Sequence, residues 1–301
     1  MPNNPFTKTG YTFGGWNTNA SGTGTTYTAG ATTSSPPNLT TTAGDTVTLY
    51  AKWTAGAYTV TLDQQGGSGG TTSVTATYGS AMPSATMPTR TGYTFGGYYT
   101  STGGSGTQYY TAAGASARNW DKTSDTTLYA KWAPKQYKVT LHYMDGVTEN
   151  TEKPVTYNAK YGELPTPTKT GYVFEGWYPT QNYAGEVVTA DTVYTIANDS
   201  NLYAKWRPIF FYLKYNDNYS SPANEIMDPT TFHYEWNEDQ FLRKNTFERT
   251  GYDFVGWSKS SVAAEATYAD EANVNECIEN GKAFTTTDGD TKVFSIIKRP
   301  I

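Results

Sequence analysis

Gly171-Tyr-Val-Phe-Glu-Gly-Trp177 is the stretch on which the reading of this chain turns, because the chain writes it four times. The phrase Gly-Tyr-x-Phe-x-Gly-Trp begins at Gly10, at Gly92 with Tyr98 in the tryptophan place, at Gly171 and at Gly251, in steps of 82, 79 and 80 residues. A second phrase, Leu-Tyr-Ala-Lys-Trp, follows as Leu49 to Trp53, Leu128 to Trp132 and Leu202 to Trp206, and its last copy has decayed to Val293-Phe-Ser-Ile-Ile297. Self-similarity at a fixed period signals an array of like modules, which serves length or multivalency rather than one reaction. The two phrases divide the chain into residues 1–54, an incomplete first repeat, then 55–133, 134–207 and a degenerate fourth repeat, 208–301.

Modules of roughly 75 to 80 residues sit near the lower limit for a self-sufficient core and need efficient anchors. The 26 Tyr, 12 Phe and 8 Trp supply them, and the abundance of threonine, glycine and serine favours strands and turns over helices. The expected class is mainly β, α+β at most. A net charge of −5 and a pI near 5.1 argue against a nucleic-acid groove, which needs clustered Lys and Arg. Cys277 is the single cysteine, so no disulfide forms within the chain, and it reads as a small apolar residue. Met1 to Gly10 lacks the apolar core of a signal peptide and no stretch approaches a membrane span, so the chain reads as a fragment of something longer.

Within a repeat the order is legible. Tyr58 to Leu62, Tyr137 to Leu141 and Phe211 to Tyr215 alternate as first strands. Turns follow at Gln65 to Gly70, Met144 to Gly146 and Asn216 to Asn218, then second strands at Val74 to Tyr78, Val155 to Tyr161 and Phe232 to Trp236. Proline-bearing connectors lead into Gly-Tyr-x-Phe-x-Gly-Trp as a third strand, and Leu-Tyr-Ala-Lys-Trp closes the sheet. Between them lies a variable stretch, read as loop or, over Tyr268 to Asn280, a short helix. Tyr11 and Phe13 share a face whereas Trp16 has the opposite parity, which requires a bulge at Gly14-Gly15. Only four residues separate each closing Trp from the next first-strand aromatic, and Pro134 and Pro208 stiffen two of these linkers. The expected arrangement is a rod. The first repeat has only Met1 to Thr9 ahead of Gly10, too little for a hairpin, so an open sheet edge is expected there with Tyr11, Phe13 and Trp53 partly exposed.

The two phrases, with a strand-Gly-Gly start and a Pro-rich lead-in such as Leu164-Pro-Thr-Pro-Thr-Lys-Thr-Gly171, resemble the Listeria-Bacteroides repeat, or internalin B-repeat, over essentially the whole chain. The resemblance implies tandem β-grasp-like modules of secreted or wall-attached bacterial proteins, placed between a specialised head and an anchor. It supplies no catalytic residue.

No catalytic, cofactor-binding or metal-binding residue is expected. His142 and His233 fall in strands of different repeats, so no ligand pair forms. Gly66 to Gly70 lacks the Lys-Ser/Thr of a phosphate loop, and Asn216-Asp-Asn218 and Asp288-Gly-Asp290 lack the spacing of a calcium loop. Glu235, Glu238 and Asp239 occur in one repeat only, without the cleft that a glycosidase needs. The function implied is a non-catalytic spacer and adhesive stalk, extracellular or cell-wall attached, whose partners are other domains of a longer surface protein, with self-association through the incomplete first repeat. The alternative is a multivalent carbohydrate- or host-receptor-binding array, because Tyr and Trp stack on sugar rings. The repeated aromatics read as core. The unrepeated Tyr99, Tyr109, Tyr110, Trp120, Tyr178 and Tyr183 are the better platform candidates.

Overall fold

The computed structural model describes residues 3–30, 42, 44–218, 226–233, 240–258, 260, 262–273 and 290–300. These residues are almost entirely β, and Thr102–Gly104 forms the one helical turn among them. Two compact units divide the chain, Met1–Gln136 and Tyr137–Ile301.

The first unit holds two sheets. In the first repeat, β1 (Tyr11–Asn17) lies between β2 (Thr26–Tyr27) and β3 (Tyr50–Ala55). In the second repeat, β4 (Ala57–Asp63), β5 (Ser73–Thr77), β6 (Tyr93–Tyr99), β7 (Gln108–Tyr110) and β8 (Thr126–Pro134) take the order β5-β4-β8-β6-β7. The second unit repeats the pattern. There β9 (Gln136–His142, which begins one residue early), β10 (Thr151–Thr156), β11 (Tyr172–Tyr178) and β12 (Ser200–Pro208) run β10-β9-β12-β11. The last sheet, of β13 (Phe210–Asn216), β14 (Ile226–His233), β15 (Tyr252–Ser258) and β16 (Asp290–Pro300), runs β14-β13-β16-β15.

The hairpins expected at the start of repeats 2, 3 and 4 are present, although two second strands lie further upstream than the alternation placed them. Strand β10 ends at Thr156 rather than reaching Tyr161, and β14 ends at His233 before Trp236. In repeats 2 and 3 Leu-Tyr-Ala-Lys-Trp does not sit at the sheet edge. It is the inner strand, antiparallel to the Gly-Tyr-x-Phe strand on one side and parallel to the first strand on the other, with Leu62 opposite Leu128 and Leu141 opposite Leu202.

The bulge demanded by parity is there in all four copies. The register slips between Phe13 and Gly15, Phe95 and Tyr98, Phe174 and Gly176, and Phe254 and Gly256. The glycine before the Trp position holds φ of +119° at Gly15, +111° at Gly97, +124° at Gly176 and +148° at Gly256, which L side chains rarely adopt. A Cβ on Gly97 would strike the Tyr110 carbonyl oxygen, a backbone atom that cannot move aside. Gly97→Ala is therefore expected to destabilise the second repeat by at least about 1 to 3 kcal/mol from backbone strain, before the clash is counted. Thermal unfolding of the full chain, followed by amide exchange in residues 57–134, reads this out.

Repeats 2, 3 and 4 each have their own core among the described residues. In the second it gathers Val60, Leu62, Tyr98, Tyr109, Tyr110, Trp120 and Leu128, all essentially without solvent exposure. In the third it gathers Val139, Leu141, Val155, Tyr161, Trp177, Tyr194 and Leu202. The described core of the fourth is Leu213, Tyr215, Leu242 and Trp257. The closing tryptophans, expected in the core, are only half-buried. Trp132 and Trp206 pack edge-on or tilted against Phe95 and Phe174, and their indole N–H groups donate to the carbonyls of Gln64 (2.9 Å) and Tyr143 (2.7 Å), at the end of the first strand. They tie the hairpin turn down to the sheet, which needs one face dry and the N–H within reach of an acceptor.

Junctions between repeats are shorter than the linkers read from the sequence. The strands consume them until one residue remains between β3 and β4 (Gly56), between β8 and β9 (Lys135) and between β12 and β13 (Ile209). The N–H of each donates to the carbonyl of the turn glycine of the preceding repeat: Gly56 to Gly10 (2.8 Å), Lys135 to Gly92 (2.9 Å) and Ile209 to Gly171 (2.9 Å). Within the first unit, Tyr78 adds a side-chain contact, its ring against Gly10 and edge-on to Tyr11 at 5.7 Å.

Candidate functional site

His142 stacks on Tyr203 at 4.6 Å, and its Nε2 lies 3.0 Å from Asn201 Oδ1, a packing arrangement with no second ligand beside it. The side chain of His233 lies outside the described residues, as do Glu235, Glu238, Asp239, Cys277 and Asp288. Residues 274–280 of the expected helix are also outside, and Tyr268 at its start bridges Trp257 as extended chain. Gly66 to Gly70 lies in the β4–β5 turn, with Gln64 Nε2 donating to the Gly70 carbonyl. Asn216 Oδ1 accepts from the Asn218 backbone N–H at 2.7 Å, the closure of an Asx turn. No group of three or more His, Cys, Asp or Glu side chains able to hold a metal occurs among the described residues.

The aromatic platform separates into two sets. Tyr109, Tyr110 and Trp120, expected at the surface, have no exposed area. The chain after β6 folds back over the core face of the sheet and these three rings fill it. The Tyr110 hydroxyl donates to the Pro83 carbonyl (2.6 Å), and the Tyr109 hydroxyl donates to Asp121, whose carboxylate also pairs with Arg118 at 2.7 Å. The Tyr109 hydrogen bond, ahead of the cations Lys122 and Arg118, holds the Asp121 carboxyl below its usual range. These rings cannot meet a ligand.

Tyr99, Tyr178 and Tyr183 stand on the other side of the sheets and remain half-exposed. In the third repeat Tyr178 and Tyr183 meet edge-on at 6.0 Å, and Lys205 Nζ lies 5.3 Å from the Tyr178 ring and 3.0 Å from Glu175 Oε2. Tyr183 has φ of +60°, uncommon for a bulky residue, so the loop spends backbone strain on holding that ring in place. In the second repeat Lys131 Nζ lies 5.6 Å from the Tyr99 ring. Aromatic faces beside a charged pair can stack on an apolar ring face and hydrogen-bond its polar rim.

One repeated surface feature escaped the sequence reading. The residue two before each turn glycine is a cation, and it lies over the ring of the following tyrosine: Lys8 over Tyr11, Arg90 over Tyr93 and Lys169 over Tyr172 at 4.0 Å, and Arg249 over Tyr252 at 3.9 Å. A β-turn brings them together, with the tyrosine N–H bonded to the carbonyl of the cationic residue at 3.0–3.1 Å and a positive-φ glycine third in the turn. The signal was the recurring Lys/Arg-Thr-Gly-Tyr, in which the alternation of Lys and Arg hides a positive charge common to all four repeats.

The sequence profile of the Listeria-Bacteroides repeat domain matches residues 1–52, 58–131, 137–205 and 213–278. A Gly-rich membrane protein of Evansella cellulosilytica is 31% identical over 264 residues, 86% of this chain and 27% of that protein. A second membrane protein of the same organism is 31% identical over 220 residues, 71% of this chain and 30% of that protein. Internalin H of Listeria monocytogenes is 38% identical over 125 residues, 40% of this chain and 20% of its own length. The chain thus spans less than a third of the length of each of these relatives. With four matches placed in tandem on four sheets, the chain belongs to the Listeria-Bacteroides repeat domain family, a repeat domain of bacterial surface-type proteins.

Proposed function

We propose that this chain is a non-catalytic spacer and adhesive stalk of a longer bacterial surface or secreted protein, organised as β-grasp-like modules at 1–54, 55–133, 134–207 and 208–301 that together form a rod. The observation that carries the reading is the one-residue junction, made three times, whose N–H is tied to the turn glycine of the repeat before it. Such a connection cannot behave as free coil. The parallel pairing of first and last strands at the centre of the sheet supports the β-grasp-like description. The relatives, membrane proteins and an internalin, support attachment at the cell surface, and in this reading the wall or membrane anchor and the distal head belong to other domains. No helix among the described residues is long and apolar enough to cross a membrane.

Spin labels at exposed positions Lys160 and Val262, with Cys277 replaced by Ala, test the junction at Ile209. A single narrow distance distribution is expected, and a Gly-Ser insertion after Ile209 should broaden it. A distribution already broad in the unmodified chain would remove the stalk reading.

A second reading, an array binding glycans or a host receptor, is favoured by Tyr178, the strained Tyr183 and the Lys205–Glu175 pair on the open face of the third repeat. Several weak sites on one chain would gain avidity. A glycan panel on immobilised full chain tests it, with binding expected to disappear in Tyr178→Ala and Tyr183→Ala.

A further inference from the structure

In repeats 2, 3 and 4 the first strand and the last lie side by side and run the same way. β4 pairs with β8 from Val60 opposite Thr126 to Asp63 opposite Tyr129, β9 with β12 from Val139 opposite Ser200 to His142 opposite Tyr203, and β13 with β16 from Phe211 opposite Asp290 to Asn216 opposite Ser295. The chain enters each repeat at the start of the first strand and leaves it at the end of the last. In a parallel pair those points lie at opposite ends of the ladder, so tension along the chain draws the two strands past each other. All rungs then bear load together, whereas a pull from one end would open them in turn.

Side chains reinforce both ends of the ladder. Ahead of the first paired residues, the Lys138 N–H donates to Asp199 Oδ1 at 2.8 Å, and in the second repeat the Thr59 N–H donates to Asp125 Oδ1 at 2.8 Å. Each carboxylate thus adds a bond where tension enters the first strand. At the other end the Trp206 and Trp132 indoles donate to the carbonyls of Tyr143 and Gln64, the residues directly after the last paired ones, close to where the chain leaves the repeat. Both aspartates are exposed, so packing does not account for them. Asp125, Asp199 and Asp290 all stand three residues ahead of the Leu or Val that opens the second phrase. In the fourth repeat, where Ile297 takes the place of the tryptophan, the ladder has six paired positions in place of four.

We infer that repeats 2, 3 and 4 are tension-bearing clamps, each loaded in shear along its paired first and last strands, with Asp125 and Asp199 as positioning residues that hold the end where the load enters. A spacer can keep its length without resisting a pull, so the clamp goes beyond the stalk reading on which it rests. Forced unfolding is governed by the unfolding barrier rather than by the equilibrium stability, and the clamp acts on that barrier.

Single-molecule pulling on the full chain carrying Cys277→Ala, in two directions at one loading rate, tests the clamp. Pulled between its two ends, the chain loads each ladder in shear. Handles at Gln136→Cys and Asn198→Cys, both exposed positions, grip the third repeat at the starts of β9 and β12 and open the same ladder from one end. In the end-to-end direction Asp199→Ala should lower one peak of the series, that of the third repeat. The denaturant midpoint of that repeat should scarcely move, because the freed Lys138 N–H is exposed to water. Asp199→Asn, which keeps an oxygen acceptor, should restore the peak. The handle direction is expected to unfold the third repeat at less than half the force of that peak. Equal forces in the two directions, or an Asp199→Ala chain whose peaks match those of its parent, overturn the proposal. The two readings fail separately, since spin-label distances across Ile209 report on the stalk and the ratio of the two forces reports on the clamp.

Discussion

Replacing Trp177 by Ala in the full chain is expected to cost the third repeat about 3 to 5 kcal/mol, the range for truncating a large buried aromatic. Trp177 is 2% exposed, meets Tyr143 and Phe174 edge-on at 5.4 and 5.7 Å, and donates its indole N–H to the Pro165 carbonyl at 2.8 Å. Truncation opens a cavity beneath the sheet and leaves that carbonyl without its donor. A module of about 80 residues holds roughly 4 to 12 kcal/mol in total, so the variant should unfold or nearly unfold this repeat. Amide exchange resolved by peptide would show β9 to β12 losing protection while β4 to β8 retain theirs. A loss below about 1 kcal/mol would place Trp177 outside the core and favour a ligand-platform role for it.

Raising the pH from 9 to 12 should unfold the second repeat before its buried tyrosines ionise in the native state. Burial pushes the Tyr98 and Tyr110 hydroxyls up to about 12 from an ordinary 10, and burial together with the Asp121 hydrogen bond pushes Tyr109 up as well. The folded state keeps protons that the unfolded chain releases. The stability these groups contribute is therefore complete below pH 10 and falls as the pH rises towards 12. At about 1.4 kcal/mol per unit and about two units each, Tyr98 and Tyr110 together remove on the order of 5 kcal/mol, comparable with the whole stability of such a module. Tyrosinate absorbance and peptide-resolved exchange, recorded together, should show one cooperative step. Titration of these residues at pH 10 in a folded repeat would contradict the account. Tyr98→Phe should lessen the alkaline sensitivity and be neutral or stabilising by up to about 1 kcal/mol at pH 7, because the Tyr98 hydroxyl is buried without a hydrogen-bond partner.

The parts of this fold that could be read in advance are those in which one residue type alone satisfies the geometry. The bulge needs a glycine at positive φ, so Gly15, Gly97, Gly176 and Gly256 stand at the same place in every copy and announce the break in parity. First strands could be read because their alternate residues face one dry side. Illegible were positions at which several residues do the same work. The strand partner opposite the Trp position is Tyr27, Tyr110, Val188 and Tyr268 in the four repeats, so its apolar role recurs while its identity does not. Trp120 and Tyr194 likewise accept the same backbone hydrogen bond, from Gly79 and Asn158, but differ in type. That is why Tyr109, Tyr110 and Trp120 read as variable loop aromatics and are in fact the cover of the core.

The inner position of Leu-Tyr-Ala-Lys-Trp was hidden for a related reason. Local alternation defines two faces of a strand and carries no record of what lies at its edges, which long-range pairing decides. Among the site residues, Tyr99, Tyr178 and Tyr183 were legible as exposed aromatics, whereas the cation over each turn tyrosine was masked by the exchange of Lys and Arg.

Single-molecule extension of the full chain between its two ends tests the stalk most directly. A series of separate force peaks is expected for the complete repeats, each lengthening the chain by roughly 220 to 250 Å as about 75 residues pass from folded to extended. Extension without force peaks, or one event that releases several repeats at once, would contradict it.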